Sequence, residues 1–319
     1  MEFSLIDRIR ELTAQARDDV RLGIGDDAAL LGVPAGQELV VAIDTLVDGV
    51  HFPHGTAAAD IGWKALAVNL SDLAAMGATP AWGLLALTLP HGDTTFVDGL
   101  ATGFAQLAQA HQLALVGGDT TRGPLALSVA VHGFVPPGQA LLRTAARVGD
   151  AICVTGTLGD AAAGLKLLQE SGNTDAHAAY LIERLNRPTP RVDAGLVLRG
   201  HANACIDVSD GLLADLGHIC AASRVGAAID VSLLPRSPAL LDLLGEPASR
   251  DLALSGGDDY ELCFTVPAQC VAALHAQLVR IGCRATTIGR IVEGSGVQVH
   301  DADGQPLAFE RRGWDHFGA

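Results

Sequence analysis

Lysine is almost missing from this chain: Lys64 and Lys166 are the only two in 319 residues, and no basic run occurs. Acidic residues number 36 against 21 Lys and Arg, for a formal net charge of −15. Nucleic acid is therefore excluded as a partner, because neutralising phosphates needs clustered cations. Aromatic residues are scarce, at 4 %. No apolar run reaches the roughly 18 residues of a membrane span, so no membrane partner is expected. The opening segment MEFSLIDRIRELTAQA lacks the basic start and apolar block of a signal peptide, which predicts a cytoplasmic protein. The six cysteines form no CxxC and lie mostly in apolar runs such as AICVTG and ELCFTV. They read as buried free thiols rather than a zinc site or a disulfide frame.

Familiar phosphate and hydrolase motifs are missing as well. No GxxxxGK[ST] occurs, so this is not a P-loop enzyme, and neither GxSxG nor HExxH appears. Gly23-x-Gly25-x-x-Ala28 has the outline of a dinucleotide fingerprint, yet Asp26 and Asp27 would sit where the pyrophosphate belongs.

What is present is alternation. Phe3, Ile6, Ile9 and Leu12 predict an amphipathic helix, and LVVAI (39–43) predicts a strand delivering Asp44 at its C-terminal end. Asp60 can cap a helix running to about Met76, stopped by Gly77 and Pro80. Strand 82–89, helix 93–112, strand LALVG followed by GGDTTRGP, and strand 125–135 complete the first half. A turn-rich connection from Pro136 to residue 150 divides the chain into domains 1–138 and 149–319. The second half restarts with DAICVTG, the helix TLGDAAAGLKLL, the strand ACIDV and the strands AAIDVSL, ELCFTV and ATTIGRIV. The expected fold class is α/β or α+β, in two domains.

Carboxylates recur, mostly beside glycines or at the predicted ends of strands: GIGDDAAL (23–30), IDTLVDGVHF (43–52), NLSDLAAMGA (69–78), GGDTTRGP (117–124), IDVSDGL (206–212) and SGGDDYEL (255–262). Any one Gly-Asp pair is an ordinary turn. Six such segments together point to a site, because glycine lets backbone approach a ligand closely. Oxygen ligands without a His or Cys cluster suit a hard cation, Mg²⁺ ahead of Ca²⁺. Mg²⁺ completes its octahedron with water and phosphates, which implies a phosphate-rich substrate. An unscreened carboxylate–phosphate pair at 4 Å costs about 1 kcal/mol even in water, so several cations are expected. Asn69 and Asp72 share one helix face, which makes Asp72 a candidate ligand.

In this order, and with a C-terminal GWDHF, the motifs resemble thiamine-monophosphate kinase over roughly residues 3 to 317. The resemblance extends to a superfamily with aminoimidazole ribonucleotide synthetase, selenophosphate synthetase and a hydrogenase-maturation protein. It implies transfer of the ATP γ-phosphoryl group to thiamine monophosphate by a homodimer joined through its N-terminal domains. Carried over by motif, Asp27, Asp44, Asp72, Asp119, Asp207 and Asp210 would bind Mg²⁺. Gly118, Asp119, Arg143 and Ser209 would contact ATP, and His51, Asp258 and Trp314 would face thiamine monophosphate. Asp44, Asp72, Asp119 and Arg143 would carry the chemistry. A monovalent cation stays open as a further cofactor. On the residues alone, Trp314 could equally be a packing residue and His51 a loop-orienting one.

Two positions depart from the family pattern. Ala42 and Ile43 offer only carbonyls where relatives can carry a polar residue before Asp44, and Asp258 is one methylene shorter than the Glu of many relatives. Two other readings stay open, another ATP-dependent synthetase of the superfamily and a non-catalytic nucleotide sensor. Against the synthetases, no Cys precedes residue 153 and the chain ends DHFGA without a C-terminal Cys.

Overall fold

The computed structural model describes residues 2–170, 175–309 and 313, without the side chains of residues 2 and 3. The chain divides into two compact units, residues 1–73 with 78–138, and residues 74–77 with 139–319.

The first unit runs α1 (Glu2–Leu12), β1 (Val20–Leu22), β2 (Leu30–Leu31), β3 (Glu38–Val47), α2 (Ala58–Ala75), β4 (Thr79–Leu89), α3 (Thr94–Ala110), β5 (Ala114–Arg122) and β6 (Ala126–Val135). Strands β3, β6, β4 and β5 form one sheet in that order. β3–β6 and β6–β4 pair antiparallel, while β4 and β5, joined by α3, pair parallel. Parallel neighbours need such a crossover, and the 17 residues of α3 supply it.

Alternation along the strands gives the sheet two faces. Leu46, Leu85, Leu87, Leu127, Val129 and Val131 are buried on one. Leu39, Val41, Ile43 and Leu84 lie on the other and are 37–66 % exposed. One end of this outer face is covered, since Val20, Ala29 and Leu31 of the β1–β2 segment pack on Trp82 and Phe134. Helix α2 lies on the inner face, with Leu73 against Gly133 and Asn69 hydrogen-bonded to β3. It meets α3 backbone to backbone: a Cβ on Gly62 would strike the Leu100 carbonyl, and one on Gly103 the Ala59 carbonyl.

The second unit contains β7 (Asp150–Thr155), α4 (Asp160–Glu170), α5 (Ala176–Asn186), α6 (Val192–Leu198), β8 (Ala204–Val208), α7 (Leu212–Ser223), β9 (Gly226–Asp230), α8 (Pro238–Leu244), α9 (Ala248–Ser255), β10 (Glu261–Pro267), α10 (Val271–Arg280), β11 (Ala285–Val292), β12 (Gly296–His300) and β13 (Pro306–Leu307). Its seven strands are ordered β13-β12-β9-β11-β7-β10-β8, with β12 and β9 parallel and the other pairs antiparallel. Ile152, Val154, Ile206, Val208, Leu212, Leu216, Ile219, Ile229 and Ile288 sit in one core. The two-unit α/β architecture agrees with the sequence expectation.

Four local readings are corrected. Asp44 is not at the end of its strand but in the middle of the ten residues of β3. Asp60 is inside the first turn of α2 rather than capping it, and Pro80 belongs to β4 rather than ending the helix. The strand read as LALVG does not stop there but runs on through GGDTTR to the end of β5.

All six cysteines are free; Cys153, Cys205, Cys220, Cys263 and Cys283 are buried and Cys270 is partly exposed. Among the described residues no helix is long and apolar enough to cross a membrane.

Candidate active site

In the first unit the site is organised around β3 and α2. The Asp44 N–H donates to Asn69 Oδ1 at 3.0 Å, and Asn69 Nδ2 donates to the Ala65 carbonyl one turn earlier, at 2.9 Å. Asn69 is completely buried, so both of its bonds are made away from water and are costly to break. Asp72 follows three residues later on the same helix and is partly exposed. The two carboxylates are thus carried by elements that Asn69 ties together.

Beyond β3 the chain turns back on itself. His51 Nδ1 accepts the Val47 N–H at 3.0 Å, and the His51 carbonyl accepts from Lys64 Nζ at 3.0 Å. A neutral imidazole that accepts at Nδ1 carries its proton on Nε2. Lys64 is 2 % exposed, so one of the two lysines in the chain is buried holding this turn.

Asp119 and Asp44 are not brought together within one sheet. The register places Asp44, Val129, Leu85 and Gly118 in one row, and Thr45, Ser128, Ala86 and Asp119 in the next, on the opposite face. Three strand spacings separate β3 from β5, about 14 Å. Gly118 is required where it stands, because a Cβ there would enter the Leu85 backbone. Asp27 is exposed between β1 and β2, its N–H bonded to Asp26 Oδ1 at 2.8 Å.

In the second unit β8 ends in a turn that enters α7. The N–H groups of Ser209, Asp210 and Gly211 all donate to Asp215 Oδ2, at 3.0, 3.1 and 3.0 Å. Burial, then the charges of Asp207 and Asp210, push the Asp215 carboxyl up to about 7 despite those hydrogen bonds. The SGGDDYEL segment docks on the same turn, with the Asp258 N–H on the Ser209 carbonyl at 2.8 Å and the Tyr260 N–H on the Val208 carbonyl at 2.9 Å. Asp258 and Tyr260 have left-handed backbones, with φ of 69° and 50°, uncommon for side-chain-bearing residues. The Tyr260 hydroxyl donates to Asp258 Oδ1 at 2.9 Å. Between them, Asp259 accepts the Gly159 N–H at 2.6 Å and the Ala161 N–H at 3.3 Å, anchoring the segment to the start of α4.

Arg143 is exposed, and its carbonyl accepts from Ser223 Oγ at 2.7 Å. Trp314 lies outside the described residues. Among those described, no three His, Cys, Asp or Glu side chains are gathered closely enough to hold a metal ion by themselves. Asn69, Asp215 and Tyr260 are the residues that sequence reasoning did not assign these roles. For Asp215 the available signal is an acid in the first turn of a helix, where it meets the N-terminal amides.

Comparison with known proteins adds the decisive observation. Residues 25–135 match the family described as AIR synthase related protein, N-terminal domain, and residues 147–302 its C-terminal domain. A thiamine-monophosphate kinase of Escherichia coli is 50 % identical over 318 residues, covering 99 % of this chain and 98 % of that protein. The chain belongs to the thiamine-monophosphate kinase family. The Salmonella typhimurium kinase is 49 % identical over 323 residues, covering 99 % and 98 % of the two chains. A crystal structure of thiamine-monophosphate kinase from Stenotrophomonas maltophilia superposes with a TM-score of 0.89 at 56 % identity, covering 96 % of this chain and 98 % of that one. AaThiL complexed with AMPPCP and TMP superposes with a TM-score of 0.78 at 35 % identity, covering 99 % and 97 %. As a member of the thiamine-monophosphate kinase family this chain is an enzyme, a kinase of the phosphotransferase class.

Proposed function

We propose that the chain transfers the γ-phosphoryl group of ATP directly to the phosphate of thiamine monophosphate, giving thiamine diphosphate and ADP in thiamine diphosphate biosynthesis. The observation that carries this reading is the arrangement of glycine-flanked carboxylates within a chain 50 % identical to a thiamine-monophosphate kinase. A solved relative holding AMPPCP and TMP supports the two substrates.

The donor set fits Mg²⁺. It is all oxygen, and it includes Asp207 and Asp210 beside Asp215, whose carboxyl is raised to about 7 by burial first and by those two charges second. Asp27, Asp44, Asp72, Asp119, Asp207 and Asp210 are the residues that would hold it. When bound, Mg²⁺ supplies charge neutralisation between phosphates. The small local groups of carboxylates suit an ion whose coordination is completed by water and substrate phosphates.

The protein's own side chains bind and orient. The acceptor phosphate has a second pKa near 6 and is largely a dianion at neutral pH, so no general base is needed. His51 Nε2–H donates to a phosphate oxygen, and Arg143 screens the approach of two anions. Ser209 serves the nucleotide through its hydroxyl, since its N–H is committed to Asp215. Asp258 faces the cationic thiazolium, its carboxylate oriented by Tyr260. Trp314 stacks on the thiamine rings, a contact of roughly 0.5–2 kcal/mol.

We also propose that the N-terminal domain, 1–138, forms a homodimer through the outer face of its sheet, supported by exposed Leu39, Val41, Ile43 and Leu84. The second domain is 149–319, and the enzyme works in the cytoplasm.

The test is chromatography of thiamine species after incubation with ATP and Mg²⁺, with and without thiamine monophosphate. Thiamine diphosphate should form with equal ADP and disappear with EDTA or with Asp44→Asn. Retained ATP binding with no thiamine diphosphate would refute the kinase reading. ADP formed with a different acceptor would then favour a synthetase, and nucleotide binding without any turnover a sensor.

A further inference from the structure

Three successive backbone N–H groups, those of Ser209, Asp210 and Gly211, converge on a single oxygen, Asp215 Oδ2, at 3.0–3.1 Å. Successive amides turned to one point form the concavity that elsewhere receives a phosphate. Here the concavity is filled by the chain's own carboxylate, which is 2 % exposed. At the entry to α7 no side chain of the N-cap residue takes these donors. Its N-cap is Gly211, which brings no side chain and has φ of +125°. A Cβ at Gly211 would press on the Ser255 backbone, and one at Gly257 on the Ser209 carbonyl, so the turn is clamped from the other side as well. The N–H groups of Ser209, Asp210 and Gly211 all converge on the acceptor at Asp215.

We propose that Asp215 is a positioning residue for phosphoryl transfer, fixing the Ser209–Asp210 turn through the geometry of one acceptor oxygen rather than through its charge. This rests on the reading above in which Ser209 serves the nucleotide and Asp210 the cation. The charge is dispensable on this view. An asparagine at 215 keeps the acceptor oxygen and removes the charge. An alanine removes both and takes this acceptor from three amides, of which that of Gly211 is buried.

The experiment compares Asp215→Asn and Asp215→Ala in the full chain, with three readouts. Amide hydrogen exchange over residues 208–212 without ligands reads the turn itself. Protection should persist in Asp215→Asn and fall at least about tenfold in Asp215→Ala. Steady-state kinetics then separates the substrates. In Asp215→Ala the KM for ATP and the Mg²⁺ half-saturation should rise about tenfold or more, while the KM for thiamine monophosphate stays within about threefold. Asp215→Asn should stay within about threefold of the unsubstituted enzyme in all of these. Thermal melting and near-ultraviolet circular dichroism identify a variant that has failed to fold, and the asparagine variant then carries the test.

Equal losses in the two variants would overturn the proposal by showing that the charge is needed. Unchanged exchange in Asp215→Ala would overturn the geometry. Faster exchange with unchanged ATP and Mg²⁺ parameters would overturn the link to the site. Failure of the unsubstituted protein to bind nucleotide would instead strike the kinase reading, and the exchange result would stand apart from it.

Discussion

Glu261 is the best place to test whether the second unit is held together by buried charge. Its carboxylate is fully buried and receives Arg191 on both oxygens, at 2.6 and 2.5 Å. Arg184 adds a bond at 2.9 Å and Thr155 Oγ1 another at 2.6 Å. Glu261→Gln keeps the shape but leaves two poorly hydrated guanidiniums facing a neutral amide, whose NH₂ can only oppose them. Removing one partner of a buried ion pair costs about 3–5 kcal/mol. For a unit of this size, each kcal/mol lowers Tm by about 2–4 °C, so the loss should be roughly 6–20 °C by calorimetry at pH 7.

The pH dependence gives a second signature. Burial pushes the Glu261 carboxyl up, but the charge and hydrogen bonds of Arg191 and the charge of Arg184 outweigh it, so the net shift is downward from 4.5. A carboxyl whose folded pKa is depressed stabilises above its unfolded value and loses that contribution as pH falls through the folded one. The unsubstituted protein should therefore lose this contribution below about pH 4.5, and the gap to Glu261→Gln should narrow there. Adding Arg191→Met to Glu261→Gln should recover part of the lost stability. A fall in Tm under about 2 °C for Glu261→Gln would refute the reasoning, because the network would then be contributing nothing specific.

Two further outcomes follow from the same structure. Val41 is 57 % exposed on the outer sheet face, so Val41→Asp should change monomer stability by no more than about 0.5 kcal/mol. It should nevertheless convert a dimer to a monomer in light scattering, and a persisting dimer would remove this face from consideration. Tyr260→Phe deletes the hydroxyl on Asp258, a bond to a charged group worth about 1.5–3 kcal/mol. The KM for thiamine monophosphate should rise roughly tenfold or more with the KM for ATP unchanged; equal effects on both would argue against a substrate-facing Asp258.

The first unit was largely legible in its sequence, because its helices have an apolar stripe and its strands an alternating one. LALSVAVHGFV reads as a strand and is one, with Leu127, Val129 and Val131 inward. Local reading failed where glycine and aspartate sit inside a strand. Such residues signal turns in isolation, yet Asp44 and Gly118 are held mid-strand by partners 25 residues away, at Asn69, and in the neighbouring β4. In the second unit α5, α6, α8, α9 and α10 were not distinguished, and neither was the parallel pairing of β12 with β9. Parallel pairing carries no local turn signal. The motif aspartates themselves were visible, Asp119 and Asp210 by an adjoining glycine and Asp44 and Asp207 by the apolar run before them. Their supports were not: Glu261 meets its arginines across 70 and 77 positions, and Asp215 serves donors that precede its own helix.

The distribution of thiols has a practical consequence. Burial raises the pKa of Cys153, Cys220 and Cys283 to about 11, and moves Cys205 and Cys263 further in the same direction. A thiolate, not a thiol, attacks a labelling reagent, so these five are silent twice over, by access and by protonation. Cys270 is the partly exposed exception. The folded protein thus carries its own unfolding counter: one thiol is within reach of solvent from the start, and each of the other five reports the moment the segment that buries it opens.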